Sequence, residues 1–213
     1  MDIKIPNSWD DISIGQYIEL RPVLAAEMSD IERLIHILAV ILRQPTQEVK
    51  KIKLKNVKEI NKEMSFLWKE ELPTELQNIF QIDDQWFEIV LDARELNAGQ
   101  YMSVSTKLKD VDSDPNVIYS IIHNILASIS YPIIENKGKY ERQEIDSSYF
   151  SDTSKLFYEK LPVSIAYPLG VFFCNLSQDL MPIIQGYSKR KLTKANSIME
   201  EVQKDISKDG DGL

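Results

Sequence analysis

Apolar positions return with a helical rhythm in three stretches of this chain. Ile31, Leu34, Ile35, Leu38, Ile41 and Leu42 form a stripe behind Ser29 and Asp30, and Ile37 and Val40 fall outside it, so most of that helix's circumference is expected to be buried. Tyr17, Leu20, Val23 and Leu24 follow Ser13 in the same way, with Pro22 expected to shorten or kink the helix. A third run, Ile118, Ile121, Ile122, Ile125 and Ile129, follows Asp114-Pro115, where proline takes its favoured first helical position. A different, strand-like rhythm occupies Leu76 to Ile82 and Trp86 to Leu91. Asp83-Asp84-Gln85 lies between them, which predicts a β-hairpin with a short acidic turn. Asp2 to Ile5 alternates polar and apolar and reads as a strand ending at Pro6, a third member for the hairpin's sheet, with Trp9 folding back onto the core.

The first and third helical stretches are linked by a repeat. Asp11-Ile-Ser-Ile-Gly-Gln-Tyr17 returns as Glu95-Leu-Asn-Ala-Gly-Gln-Tyr101. Ser13 with Gln16, and Asn97 with Gln100, have the spacing of a capping box, while Ile12 with Tyr17, and Leu96 with Tyr101, have that of a hydrophobic staple. The stripe from Ile31 to Leu42 matches Ile118 to Ile129 at a constant offset of 87, and His36 and His123, the only two histidines, occupy the same place on their helices. The pattern predicts a strand-helix-helix unit used twice, over about 1–43 and 86–131.

The linker 44–85 has a different character. Lys50, Lys51, Lys53, Lys55, Lys58 and Lys62 interleave with Val49, Ile52, Leu54, Val57, Ile60, Met64 and Leu67, as in one or two amphipathic helices. Lysine stems lying over apolar neighbours on a solvated face explain that run more simply than a basic patch for an acidic partner or a phosphate backbone, and the patch is kept as a second-choice contact surface. The apolar side, Val57, Ile60, Met64 and Leu67 with Trp68, is the best candidate for a partner-binding surface.

Beyond Pro132, Glu135 to Ser148 is polar and reads as an exposed loop. Ser151 to Leu161 suits a helix stopped by Pro162. A second helix over Ile165 to Ile184 carries more apolar surface than one face can hide, which makes it a second interface candidate or else a buried central helix. These C-terminal helices, 149–187, complete a single domain over 1–187, and 188–213 is a polar, frayed tail.

Charge and composition narrow the partners. Thirty-three acidic against 25 basic residues give a net charge of -8, which disfavours nucleic acid except weakly through the lysine run. The single cysteine, Cys174, lies in the apolar run Val171-Phe-Phe-Cys174 and is expected to be buried and inert, as in a reducing cytoplasm. The N-terminus lacks the pattern of a secretory signal, and the apolar run from Val163 to Leu176 is too short to span a membrane.

Candidate chemistry is sparse. Two histidines with no Cys, Asp or Glu at ligand spacing make a poor metal site, and no phosphate loop, nucleophile elbow or zinc motif occurs, so no catalytic residue, cofactor or metal is assigned. The acid pairs Asp10-Asp11 and Asp83-Asp84 suit capping and turn chemistry better than a pair of converging carboxyls.

The opening Ile5-Pro-Asn-Ser-Trp-Asp-Asp-Ile-Ser-Ile-Gly-Gln-Tyr-Ile-Glu-Leu20, the hairpin followed by Leu96-Asn-Ala-Gly-Gln-Tyr101, then Lys139-Tyr-Glu141 and Leu161-Pro-Val163 before Phe172-Phe173, resemble small morphogenesis proteins of tailed bacteriophages, tail-assembly chaperones among them. The resemblance implies a non-enzymatic protein that binds an aggregation-prone tail component, or a head-tail or tail ring component, in the host bacterial cytoplasm or the virion. Partners would be phage structural proteins, with self-association also open. A small enzyme with a scattered site near His36 and His123 is the competing expectation. The fold expected throughout is mainly α with a small antiparallel sheet, an α+β arrangement.

Overall fold

The computed structural model describes residues 5–69, 71–111, 117–136, 138–146, 148–173 and 175. It divides into two compact units, Met1–Phe172 and Phe173–Leu213, and almost all of the second lies outside the described residues. So do the strand expected over Asp2 to Ile5 except its last residue, the Asp114-Pro115 helix start, Cys174, the C-terminal half of the 165–184 helix, the boundary at 187 and the 188–213 tail.

The first unit is mostly helical with one small antiparallel sheet. A 3-10 turn, Trp9–Asp11, leads into α1, Ile14–Ala25, and α2 follows over Asp30–Leu42. Ser13 and Gln16 form the expected reciprocal cap on α1, as do Ser29 and Glu32 on α2. Pro22 does not shorten α1, which continues through it to Ala25. α2 ends at Arg43 in the left-handed region (φ 50°), with Gln44 N donating to the Ala39 carbonyl, and Pro45 then starts the short α3, Thr46–Val49. α4, Leu54–Glu63, and α5, Phe66–Lys69, complete the lysine-rich linker.

The hairpin forms β1, Ile79–Ile82, and β2, Gln85–Ile89, joined across Asp83 and Asp84, with Asp83 at φ 52°. α6, Ala98–Val111, and α7, Val117–Ser128, follow. The sheet then gains β3, Ser130–Asn136, and β4, Lys139–Arg142, in the order β1-β2-β3-β4.

One expectation is corrected, and the hairpin has a neighbour not foreseen. Beside β2 lies β3, with Trp86 to Ile89 paired with Ile133 to Ser130. The polar stretch read as a loop from Glu135 holds the end of β3 and all of β4. Pro132 looked like a boundary, yet it sits within β3 opposite Phe87, and its carbonyl still accepts from Gln143 N. β4 is exposed at every residue, so no apolar alternation marks it. Arg142 anchors it instead, donating to Glu88 on β2 and to Glu95.

α8, Tyr149–Lys160, packs on α7 and α1. A backbone bridge joins Ser13 to Pro162: Ile14 N donates to the Leu161 carbonyl and Val163 N to the Ile12 carbonyl, both at 2.8 Å. A further helical run begins at 163, where Val163, Ala166 and Leu169 are wholly buried. In its described part this helix thus turns one face into the core and leaves Val171 37% exposed. Phe157 of α8 packs on Phe80 and Phe87 of the hairpin, with ring centroids 5.7 and 5.2 Å away. Trp9 folds back as expected, edge-on to Tyr17 and Phe66. No helix among the described residues is long and apolar enough to cross a membrane.

The two helix pairs share their caps. Asn97 Oδ1 accepts from Gln100 N and Gln100 Oε1 accepts from Asn97 N, as Ser13 and Gln16 do. They differ in what the glutamine does next. Gln16 Nε2 donates to the Ile41 carbonyl in the last turn of α2, whereas Gln100 Nε2 is buried with no acceptor among the described residues. The second staple is also open: Tyr17 is buried, but Tyr101 is 40% exposed.

Candidate protein-contact surface

The surface is built where α2, α4 and α5 meet. α2 turns Leu34, Ile37, Leu38 and Ile41 inward and leaves Ile31, in its first turn, 62% exposed. On α4, Val57 and Asn61 are one turn apart and share a face. α5 buries Phe66 and Leu67 but leaves Trp68 44% exposed. Ile31, Leu34, Val57, Asn61 and Trp68, with Asp30 and Arg33 at the rim, line an open concavity of about 560 Å³.

Arg33 shapes the rim. One of its terminal nitrogens donates to the Ala26 carbonyl (3.1 Å), which holds the loop before α2, and the other lies 3.6 Å from Asp30. Its Nε is buried with no hydrogen-bond partner among the described residues. Glu32 faces outward on the same turn. The hydroxyl and amide of Ser29 hold its carboxyl below the usual carboxylate range, with smaller pulls from His36 and Lys50.

Of the five residues singled out from the sequence, the structure brings Val57 and Trp68 together in this concavity. Ile60 is half-buried. Met64 and Leu67 are core residues, because the chain turns at Met64 and Ser65 into α5 and faces them inward. Ile31 and Leu34 come from a helix 23 or more residues upstream and were legible only as part of the α2 stripe. Ile31 at the end of that stripe looked like core. The lysine-rich run flanks this surface, with Lys50, Lys51, Lys53 and Lys62 all exposed and Lys51 bridged to Glu48.

The histidines have dissimilar surroundings. His36 is exposed on α2. His123 is half-buried, with its ring edge-on to Tyr158 at 5.1 Å. Asn124 Oδ1 accepts from Ser154, so its amide donates to His123 Nε2 and the ring proton falls on Nδ1, which is buried with no partner among the described residues. Burial lowers the pKa of His123. The ring is a neutral packing element. No group of three His, Cys, Asp or Glu side chains that could hold a metal occurs among the described residues.

Two further polar clusters gave no signal in the sequence. Lys107 Nζ donates to Ser103 Oγ at 2.6 Å, Ser103 shares a hydrogen bond with Ser128 Oγ, and Ser128 donates to the Asn124 carbonyl, which ties α6 to α7. Tyr17, Arg21, Pro22 and Tyr119 line a shallow concavity of about 680 Å³, with the Arg21 guanidinium 4.1 Å from the Tyr119 ring centre. Burial, with Tyr167 close by, pushes the Tyr119 phenol up to about 12, so it is protonated at neutral pH and is no base.

No protein-family profile, characterised protein or solved structure matches this chain.

Proposed function

We propose that this protein acts by protein-protein contact as an assembly or structural protein of a tailed phage, most simply as a tail-assembly chaperone. The observation that carries the contact reading is the pairing of Ile31 and Trp68, two large, well-exposed apolar residues that line one concavity. Scattered apolar residues are ordinary on a protein surface, but two lining a single depression offer a partner a desolvated anchor. The phage assignment rests on the resemblance of the opening segment and of Leu96 to Tyr101 to phage morphogenesis proteins.

Affinity purification of the tagged chain from cells producing particles, with mass spectrometry of what accompanies it, tests this reading. A tail structural protein that accompanies the wild-type chain and is lost with Trp68→Ala supports it. A chain that comes through alone contradicts it. Counting copies of the chain in purified particles separates a transient chaperone, with none, from a ring component of the virion.

A further inference from the structure

The floor of the groove is laid by Ile31 and Leu34, three apart on α2, and by Val57 and Asn61, four apart on α4. Rows at these spacings are the ridges between which the ridge of another helix sits, and no strand edge borders the groove to invite an extended peptide. Charge sets the sign of the occupant. Residues 46–69 carry seven lysines against three glutamates in a chain whose net charge is -8. Exposed Lys50, Lys53 and Lys62 have no carboxylate within salt-bridge distance among the described residues. Lys53 and Lys62 lie at the two ends of α4, the helix that supplies Val57 and Asn61. The groove is thus an apolar floor with Asp30 and Arg33 on its rim, built partly from a segment of net positive charge in a protein whose remainder is net acidic.

We propose that this groove binds an amphipathic helix of a partner protein, with apolar side chains seated on Ile31, Leu34, Val57 and Trp68 and carboxylates facing Lys50, Lys53 and Lys62. The inference rests on the contact reading above and adds the chemistry of the partner. A single-stranded nucleic acid could use the lysines and stack a base on Trp68, but it has nothing to seat on the aliphatic Ile31, Leu34 and Val57, so the apolar floor favours the helix.

The full chain is titrated with two labelled synthetic peptides of about five helical turns. Both carry leucines at i, i+3, i+4 and i+7, one with glutamates and the other with lysines at the remaining positions, and binding is read by fluorescence anisotropy. Attraction to the whole molecule, with its excess of acid, would favour the lysine peptide, so the predicted order runs against bulk electrostatics. The glutamate peptide is expected to bind about tenfold or more tightly than the lysine peptide, and Trp68→Ala and Ile31→Ser are each expected to weaken it about tenfold. Both positions are exposed, and an unchanged melting temperature confirms that each variant is folded. Equal binding of the two peptides, no binding of either, insensitivity to both substitutions, or a single-stranded DNA that binds where the glutamate peptide does not would overturn the assignment. A tail protein that still accompanies the chain in cells would then leave the contact reading standing, while its loss there would sink both.

Discussion

Gly15 of α1 lies so close to Tyr158 of α8 that a β-carbon on it would stand 2.5 Å from the Tyr158 carbonyl oxygen and 2.8 Å from the ring. The contact is backbone to backbone and cannot be relieved by turning a side chain. The Ser13/Pro162 bridge fixes the same two segments a few residues away. The glycine of the first Gly-Gln-Tyr is therefore there for proximity, whereas Gly99 in the second meets only the Asn97 side chain at 3.3 Å.

Gly15→Ala should destabilise the protein by about 2 kcal/mol or more, the cost of overpacking a rigid site, while Gly99→Ala should have a much smaller effect. Urea midpoints of the two variants check this. Equal effects would mean that α1 can shift away from α8.

Removing either capping side chain tests the repeated helix starts. Ser13→Ala and Asn97→Ala should each cost about 1 kcal/mol, since each exposes an early helix amide and frees the reciprocating glutamine. Denaturant unfolding measures both. A loss confined to one site would show that only that cap contributes to stability.

His123 predicts a pH dependence with a definite sign. Burial lowers its pKa in the folded state below the ordinary value of 6.5, so between the two values the unfolded chain binds the extra proton. The stability this neutral ring supports is fully present above about pH 6.5 and is lost as pH falls through the folded value. Unfolding midpoints compared at about pH 7.5 and about pH 5 should show a loss in wild type that His123→Gln reduces. Ordinary carboxylates remain ionised over most of that range, so they do not mask the effect. An unchanged pH slope in His123→Gln would refute the assignment.

Met64 and Trp68, near neighbours in sequence, should separate stability from binding. Met64→Ala removes a wholly buried side chain and should cost about 2–5 kcal/mol. Trp68→Ala, at an exposed position, should change stability by less than about 1 kcal/mol and act on partner binding. Thermal melts of both variants decide it.

Much of the fold was legible because local chemistry specified it. The Ser13/Gln16 and Asn97/Gln100 caps, the Asp83-Asp84 turn and the α2 stripe each depend on residues within a few positions of one another, and all are present. What was not legible depends on distant partners. β4 is defined by pairing with β3 and by Arg142 reaching Glu88, so its own sequence looks like a loop. The open second staple at Tyr101 and the amide of Gln100, with no acceptor among the described residues, show that equal motifs need not meet equal neighbours. In the candidate site, the helical pattern found Val57 and Trp68 but could not tell them from Met64 and Leu67. The turn between α4 and α5 decides which of the four face inward. Ile31 was hidden by belonging to a stripe whose other members are mostly buried.

The most direct test of the contact surface is a photo-crosslinking residue placed at position 68 in cells producing particles, with the same residue at Met102, 68% exposed on α6, as the comparison. Light is predicted to join the chain at position 68, and not at 102, to a tail structural protein identified by mass spectrometry. Adducts to that protein from 102 with none from 68 would contradict the account.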